Sequence, residues 1–171
     1  MAEVTTGPDG SAKVPNLLPM VYEVIEKSVP SPYLLDADPQ LVTLYPNRDR
    51  DVYFENHKAP TIEIIKENSI THERLANVRF QVWYASNDTE TGEYNDLGVF
   101  TTDENGRIEL TGPANGLRDG WFRVKELEPP TGFSIKDSDT QEAFIPAGKG
   151  HTFLFENTPL SALIVYKQDS V

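Results

Sequence analysis

Phe122-Arg-Val-Lys-Glu126-Leu-Glu-Pro-Pro130-Thr-Gly-Phe133 decides the fold, because the chain carries this stretch twice. The earlier copy, about 100 residues upstream, is Tyr22-Glu-Val-Ile-Glu26-Lys-Ser-Val-Pro30-Ser-Pro-Tyr33. Phe54-Glu-Asn56 likewise returns as Phe155-Glu-Asn157, and Ile64-Ile-Lys66 returns as Val165-Tyr-Lys167. Repeats longer than ~50 residues indicate tandem domains rather than solenoid units. What recurs is a glutamate, an asparagine and a lysine set among apolar residues.

Alternate residues of a strand share a face, so Phe122, Val124 and Glu126 point the same way. Outward from that strand, Thr61-Ile-Glu-Ile-Ile-Lys66 places Ile62, Ile64 and Lys66 on one face. Ala76-Asn-Val-Arg-Phe-Gln-Val-Trp-Tyr84 alternates too, with Ala76, Val78, Phe80 and Val82 together. Val99-Phe-Thr-Thr102 and Arg107-Ile-Glu-Leu110 flank the turn Asp103-Glu-Asn-Gly106. Its Asn105-Gly106 pair predicts a type I′ hairpin, which needs positive φ at both central positions. Pro129-Pro130 ends the strand before it, because proline cannot donate to a ladder. Thr152-Phe-Leu-Phe-Glu-Asn157 closes the unit, with Phe153, Phe155 and Asn157 on one face. Parity puts Trp83 and Trp121 on outer faces, which marks either a ligand face or a neighbouring domain. No long helix is expected. Short alternating runs separated by Gly, Pro, Asn and Asp predict an all-β sandwich.

The repeat sets the expected boundaries. Thr5-Thr6 and Asp9-Gly10 correspond to Thr101-Thr102 and Asn105-Gly106. Residues 1–57 then match only the later part of a unit and lack its first strands. Residues 58–158 form a complete unit, and residues 159–171 hold the first strand of a further repeat. An open sandwich leaves unpaired edges. The N-terminal piece is therefore expected to be the less stable, unless the tail strand of this or another chain docks onto it.

A net charge of −12 argues against nucleic acid and anionic membrane surfaces as partners. No apolar run approaches the ~20 residues of a membrane span. No signal-peptide core and no sorting motif is read, so signal and anchor are expected outside this segment. Cysteine is absent, which excludes disulfides and thiol catalysis. His57, His72 and His151 show no metal-ligand spacing and read as surface residues. Asp137-Ser-Asp139 lacks the glycine and closing glutamate of a calcium loop. Ala147-Gly-Lys-Gly150 lacks the phosphate-loop pattern. No metal and no cofactor is expected.

Lysine, glutamate and asparagine are rarely buried without partners, yet three strands each point one inward. At this point the residues resemble the Cna-B-type (SpaA-like, prealbumin-like) domains of Gram-positive surface adhesins and pilins. That family carries a box of the form Tyr-x-Leu-x-Glu-Thr-x-Ala-Pro-x-Gly-Tyr. Residues 122–133 are similar to it at Phe122, Val124, Glu126, Pro130, Gly132 and Phe133, and depart at Leu127 and Pro129. Residues 22–33 are similar at Tyr22, Val24, Glu26, Pro30 and Tyr33, and depart at Pro32. The resemblance also covers the lysine that ends the first strand (Lys66) and the asparagine that ends the last (Asn157). It implies an immunoglobulin-like β-sandwich in tandem repeats, serving as a structural stalk at the cell surface or cell wall. Neighbouring repeats would be its partners. The alternatives are a module that binds a host glycan or matrix protein, and a surface enzyme whose catalytic domain lies elsewhere. Tyr45-Pro46-Asn47 resembles a pilin polymerisation motif with Asn47 in place of its lysine, so no sortase acceptor is expected there. Asn87-Asp-Thr89 is a glycosylation sequon, expected to be unused in a bacterial protein.

In that family the lysine and asparagine join in an intramolecular isopeptide bond, assisted by the glutamate. The chemistry of the residues supports this independently. A lysine in a dry core loses its proton, because desolvation disfavours the charged form. The neutral amine is a nucleophile. A buried glutamate stays protonated and can polarise the carboxamide. The assignment is Lys66 as nucleophile, Asn157 as electrophile and Glu126 as acid/base. Each molecule reacts once, so this is maturation rather than enzyme turnover. Glu26, Asn56 and Lys167 are the equivalents in the partial copies, with Lys167 assigned to the further repeat.

Overall fold

The computed structural model describes residues 2–86 and 92–169, so the Asn87 sequon lies outside the described residues. The described residues form ten strands and one 3-10 turn, Pro113–Asn115. No helix among them is long and apolar enough to cross a membrane. The chain divides into two compact units: Met1–Val29 with Leu35–Asn56, and Pro30–Leu34 with His57–Val171.

The second unit is a sandwich of two four-stranded sheets. Its strands are β3 (Thr61–Asn68), β4 (Arg79–Ser86), β5 (Asn95–Thr101), β6 (Arg107–Thr111), β7 (Gly120–Glu126), β8 (Phe133–Ile135), β9 (Thr140–Ile145) and β10 (Gly150–Pro159). One sheet runs β6-β3-β10-β8 and the other β5-β4-β7-β9. The alternating apolar residues predicted from the sequence meet between the sheets. Ile62, Ile64, Phe80, Val82, Phe122, Val124, Phe153 and Phe155 are all buried. Phe80 of one sheet and Phe155 of the other stack with ring centroids 4.9 Å apart. Each such side chain contributes roughly 1.5–3 kcal/mol on burial. The first and last strands are parallel neighbours, paired from Gly150↔Thr61 to Asn157↔Asn68.

The turn at residues 103–106 differs from the expected hairpin. Gly106 has φ 64°, but Asn105 is not among the residues with positive φ. Asp103 Oδ1 accepts hydrogen bonds from the amides of Asn105 and Arg107 at 2.9 Å each. The Gly106 amide donates to the Asp103 carbonyl at 3.0 Å. This is the side-chain-braced pattern of an Asp at the first and a Gly at the fourth position of a type I turn. It lets the chain change sheets, since β5 pairs with β4 while β6 pairs with β3.

The β4–β5 pairing shifts register between Val82 and Trp83. The extra residue is Leu97 of β5, and the pairing of β4 with β7 stays continuous, so β4 keeps its parity. Trp83 is nonetheless only half-exposed, and Ala85 on the same face is buried. Trp121 follows the expected parity at 44% exposure, with its ring edge-on to Phe144. The short strands β8 and β9 were not anticipated from the sequence.

In the first unit, β1 (Val21–Val24) and β2 (Gln40–Thr43) form a two-stranded antiparallel sheet. Tyr22 faces Val42 there as Phe122 faces Ala143 in the β7–β9 pair. Both pairs are antiparallel. Tyr22 and Val24 are only half-buried, whereas Phe122 and Val124 are fully buried.

Candidate functional site

The buried polar residues converge where β3, β7 and β10 end. Lys66 follows Ile62 and Ile64 inward, and in the parallel register it lies beside Phe155. Its amide donates to the Gly106 carbonyl, and its carbonyl accepts from Leu75, both at 2.9 Å. A Cβ at position 106 would lie 2.7 Å from the Lys66 carbonyl and 2.8 Å from the Leu75 amide. Gly106 therefore permits the close backbone approach that seats Lys66, a role the sequence reading assigned only to the turn. Glu126 follows Phe122 and Val124, sits opposite Phe80, and has its amide held by the Asp139 carbonyl at 2.7 Å. Asn157 follows Phe153 and Phe155, between Asn68 of β3 and Ile135 of β8.

The side chains meet in a dry pocket. Lys66 and Asn157 are 0% exposed and Glu126 is 1% exposed. Asn157 Nδ2 donates to Glu126 Oε1 at 2.7 Å. Lys66 Nζ lies 3.6 Å from Glu126 Oε2. Lys66 Nζ, Glu126 Oε2 and Asn157 Oδ1 have no hydrogen-bond partner. Buried polar atoms left unsatisfied are rare in native proteins and call for an explanation. Desolvation pushes the Lys66 amine below its ordinary pKa, and Glu126 opposes this only in part. Desolvation likewise raises the Glu126 carboxyl, against the Asn157 hydrogen bond and the Lys66 charge. Both shifts favour the uncharged forms, an amine beside a carboxylic acid, which avoids the several kcal/mol of burying each ion.

A similar asparagine–glutamate pair lies in the first unit. Asn56 Nδ2 donates to Glu26 Oε1 at 2.7 Å. The Asp36 amide donates to Glu26 Oε2 at 3.2 Å. Asn56 Oδ1 is buried and has no partner. Lys167 is exposed, on a segment outside any strand.

All three histidines are exposed. His72, however, stands with Glu67 and Glu156, their potential ligand atoms within 4.8 Å of one another. Sequence spacing hides this cluster, because Glu156 comes from the far end of the unit. Its carboxylates are already paired: Glu67 with His72 at 3.0 Å and Arg74 at 3.5 Å, Glu156 with Lys136 at 2.7 Å.

A model of the SpaA prealbumin-like fold domain matches residues 60–158. No curated protein sequence matches the chain. Among solved structures, the streptococcal ancillary pilin is 20% identical with a TM-score of 0.50, over 84% of this chain and 46% of that one. The Bacillus anthracis TIE protein is 22% identical with a TM-score of 0.48, over 91% of this chain and 28% of that one. GBS52, the minor pilin of Streptococcus agalactiae, is 20% identical with a TM-score of 0.47, over 95% of this chain and 70% of that one. The chain thus spans less than half the length of the first two. The likeness to the ancillary pilin is one of fold. The family match covers more than half of the chain and contains Lys66, Glu126 and Asn157, and the chain belongs to the SpaA prealbumin-like domain family.

Proposed function

We propose that residues 58–158 form a structural stalk domain of a Gram-positive surface adhesin or pilus, locked by an isopeptide bond between Lys66 and Asn157. Residues 1–57 are then a partial repeat, and residues 159–171 the opening strand of another. The observation that carries this reading is the sealed triad of unsatisfied amine, acid and carboxamide.

The neutral Lys66 Nζ attacks Asn157 Cγ, and Glu126 donates its proton toward the carboxamide as the tetrahedral centre forms. The Cγ–Nδ2 bond then breaks. The amine's proton passes through Glu126 to the departing nitrogen, and ammonia leaves. One C–N bond replaces another and Glu126 ends as it began. Packed strands hold the groups in place, which replaces a bimolecular encounter by a preset geometry. By the loop-closure argument used for disulfides, the link contributes about 4–5 kcal/mol. Unlike a disulfide, it survives reducing conditions.

Intact-mass measurement tests this directly. The purified chain is expected to be one ammonia lighter than its sequence, with Lys66 and Asn157 in one crosslinked peptide. An unmodified mass would remove the bond from the reading.

The pH dependence of stability tests the neutral acid. Lys66→Met keeps an apolar stem and removes the counter-charge, leaving Glu126 buried with its carboxyl above the ordinary 4.5. The folded state then holds this proton to higher pH than the unfolded chain. Stability from Glu126 is whole below about pH 4.5 and is lost as pH rises toward the folded pKa. Thermal melts should show Lys66→Met losing stability over that window relative to the double variant Lys66→Met/Glu126→Gln. Parallel profiles would mean that Glu126 is not held neutral.

A further inference from the structure

We propose that Asn68 is a positioning residue for the crosslinking step, holding both reacting residues through one short hairpin. The proposal rests on the Lys66–Asn157 reaction proposed above and names what sets its rate.

β6 pairs with β3 only as far as Ile65, one residue short of Lys66. Beyond that point the chain itself takes the place of β6: it turns at residues 69–72 and comes back beside β3. Glu67 faces Arg74 there in an antiparallel bridge. The Asn68 amide donates to the Glu73 carbonyl, and the Leu75 amide to the Lys66 carbonyl, at 2.9 Å each. On its other side the same hairpin meets β10. The Ser69 amide donates to the Asn157 carbonyl at 2.9 Å, and the Ser69 and Thr158 hydroxyls are hydrogen-bonded at 3.0 Å. The returning arm thus grips the lysine, and the start of the turn grips the asparagine.

Hydrogen bonds, rather than apolar packing, give the turn its shape. Residues 70–74 are exposed, Ile70 among them at 66%. His72 adopts φ 59°, a left-handed conformation that a non-glycine residue keeps only where its surroundings impose it. Asn68 supplies the constraint. It is buried at the base of the turn, and its Oδ1 accepts from the Ile70 amide at 2.9 Å and the Thr71 amide at 3.4 Å. Its carbonyl accepts from the His72 amide at 2.9 Å. A side-chain oxygen accepting from an amide two residues on is the brace that Asn and Asp supply in turns. Alanine at this position would leave two amides to water and the turn free to open.

Opening the turn would loosen the Leu75 hold on Lys66 and the Ser69 hold on Asn157 together. A misplacement of ~1 Å caused away from the chemistry can cost about 10²-fold in rate. Asn68 acts through the backbone of the reacting residues, so its loss should lower the rate at every pH and leave the shape of the pH profile, set by Lys66 and Glu126, unchanged.

The test is the time course of ammonia loss, followed by intact mass on full-length chain freshly made by cell-free synthesis. All variants are compared at one temperature below their melts, with near-ultraviolet circular dichroism reporting the fold. Asn68→Ala is expected to crosslink roughly 10–100-fold more slowly than wild type. Asn68→Asp keeps the side-chain acceptor and should stay within a few-fold of wild type. A folded Asn68→Ala chain that crosslinks at the wild-type rate would overturn the proposal, even if it melts lower. Asn68→Asp as slow as Asn68→Ala would overturn the role of the acceptor oxygen. Should Asn68→Ala fail to fold, Thr158→Val decides: it keeps the side-chain shape and removes the hydroxyl tied to Ser69. Slower crosslinking in that variant supports the hairpin's hold on β10, and an unchanged rate overturns it. Wild-type chain that never loses ammonia would remove the Lys66–Asn157 bond itself, and this proposal with it.

Discussion

Pulled from its two ends, the chain is expected to release no length between residues 66 and 157, whereas Lys66→Ala should release roughly 300 Å at that step. The contrast follows from where the proposed bond lies. β3 and β10 are the entry and exit of the second unit, and they are parallel neighbours in continuous register over eight residue pairs. Tension applied to their outer ends loads that ladder in shear. With Lys66 joined to Asn157, force passes from β3 to β10 through one covalent link, and the sheets between are bypassed. Without the link, the ladder parts and the whole unit unravels. At equilibrium the same substitution is expected to cost about 4–5 kcal/mol in loop closure. For a domain of this size that is a fall in Tm of roughly 15–30 °C, measurable by calorimetry. A wild-type chain that extends as far as Lys66→Ala would exclude the bond.

Glu126→Ala is expected to abolish crosslinking while leaving a folded domain. The glutamate accepts from Asn157 Nδ2 and faces Lys66 Nζ, so it is placed to move protons at both ends of the reaction. Loss of a positioned acid/base slows such a step by about 10²–10⁴-fold, and the loss of polarisation at the carboxamide adds to this. The core around it is apolar and independent of the carboxyl, so strand pairing should survive. Near-ultraviolet circular dichroism would report the fold, and intact mass would report the bond. Glu126→Gln serves as the conservative partner: it keeps volume and a hydrogen-bond acceptor and removes the transferable proton. Full crosslinking in either variant would show that Glu126 is dispensable.

The parts of this molecule that follow a period were legible from the sequence. Ile62-Ile64-Lys66, Phe122-Val124-Glu126 and Phe153-Phe155-Asn157 each alternate, and each places its polar member inside. Parity alone therefore anticipated that Lys66, Glu126 and Asn157 face one core. What failed depended on contacts that no local pattern encodes. The Asn105-Gly106 pair suggested a type I′ turn, but Asp103 braces the backbone with its own carboxylate and favours a different one. Trp83 keeps its outward parity, in unbroken register opposite Arg123, yet is only half-exposed, and local alternation carries no information on what covers an outer face. β8 and β9 are short and polar in places, and their partners β10 and β7 give them strand form. The His72 cluster unites residues nearly a whole unit apart in sequence, so spacing could not announce it.

β3 is the first strand of the complete unit to be synthesised and β10 the last, yet they lie side by side. Lys66 therefore waits, attached to a strand whose principal neighbour does not yet exist. Until β10 arrives, this unit stays free to thread, slip and refold, because its central ladder is still open. Closing the ladder, and with it the proposed link, must wait until β10 has been made, so this unit can become rigid only once its last strand is in place.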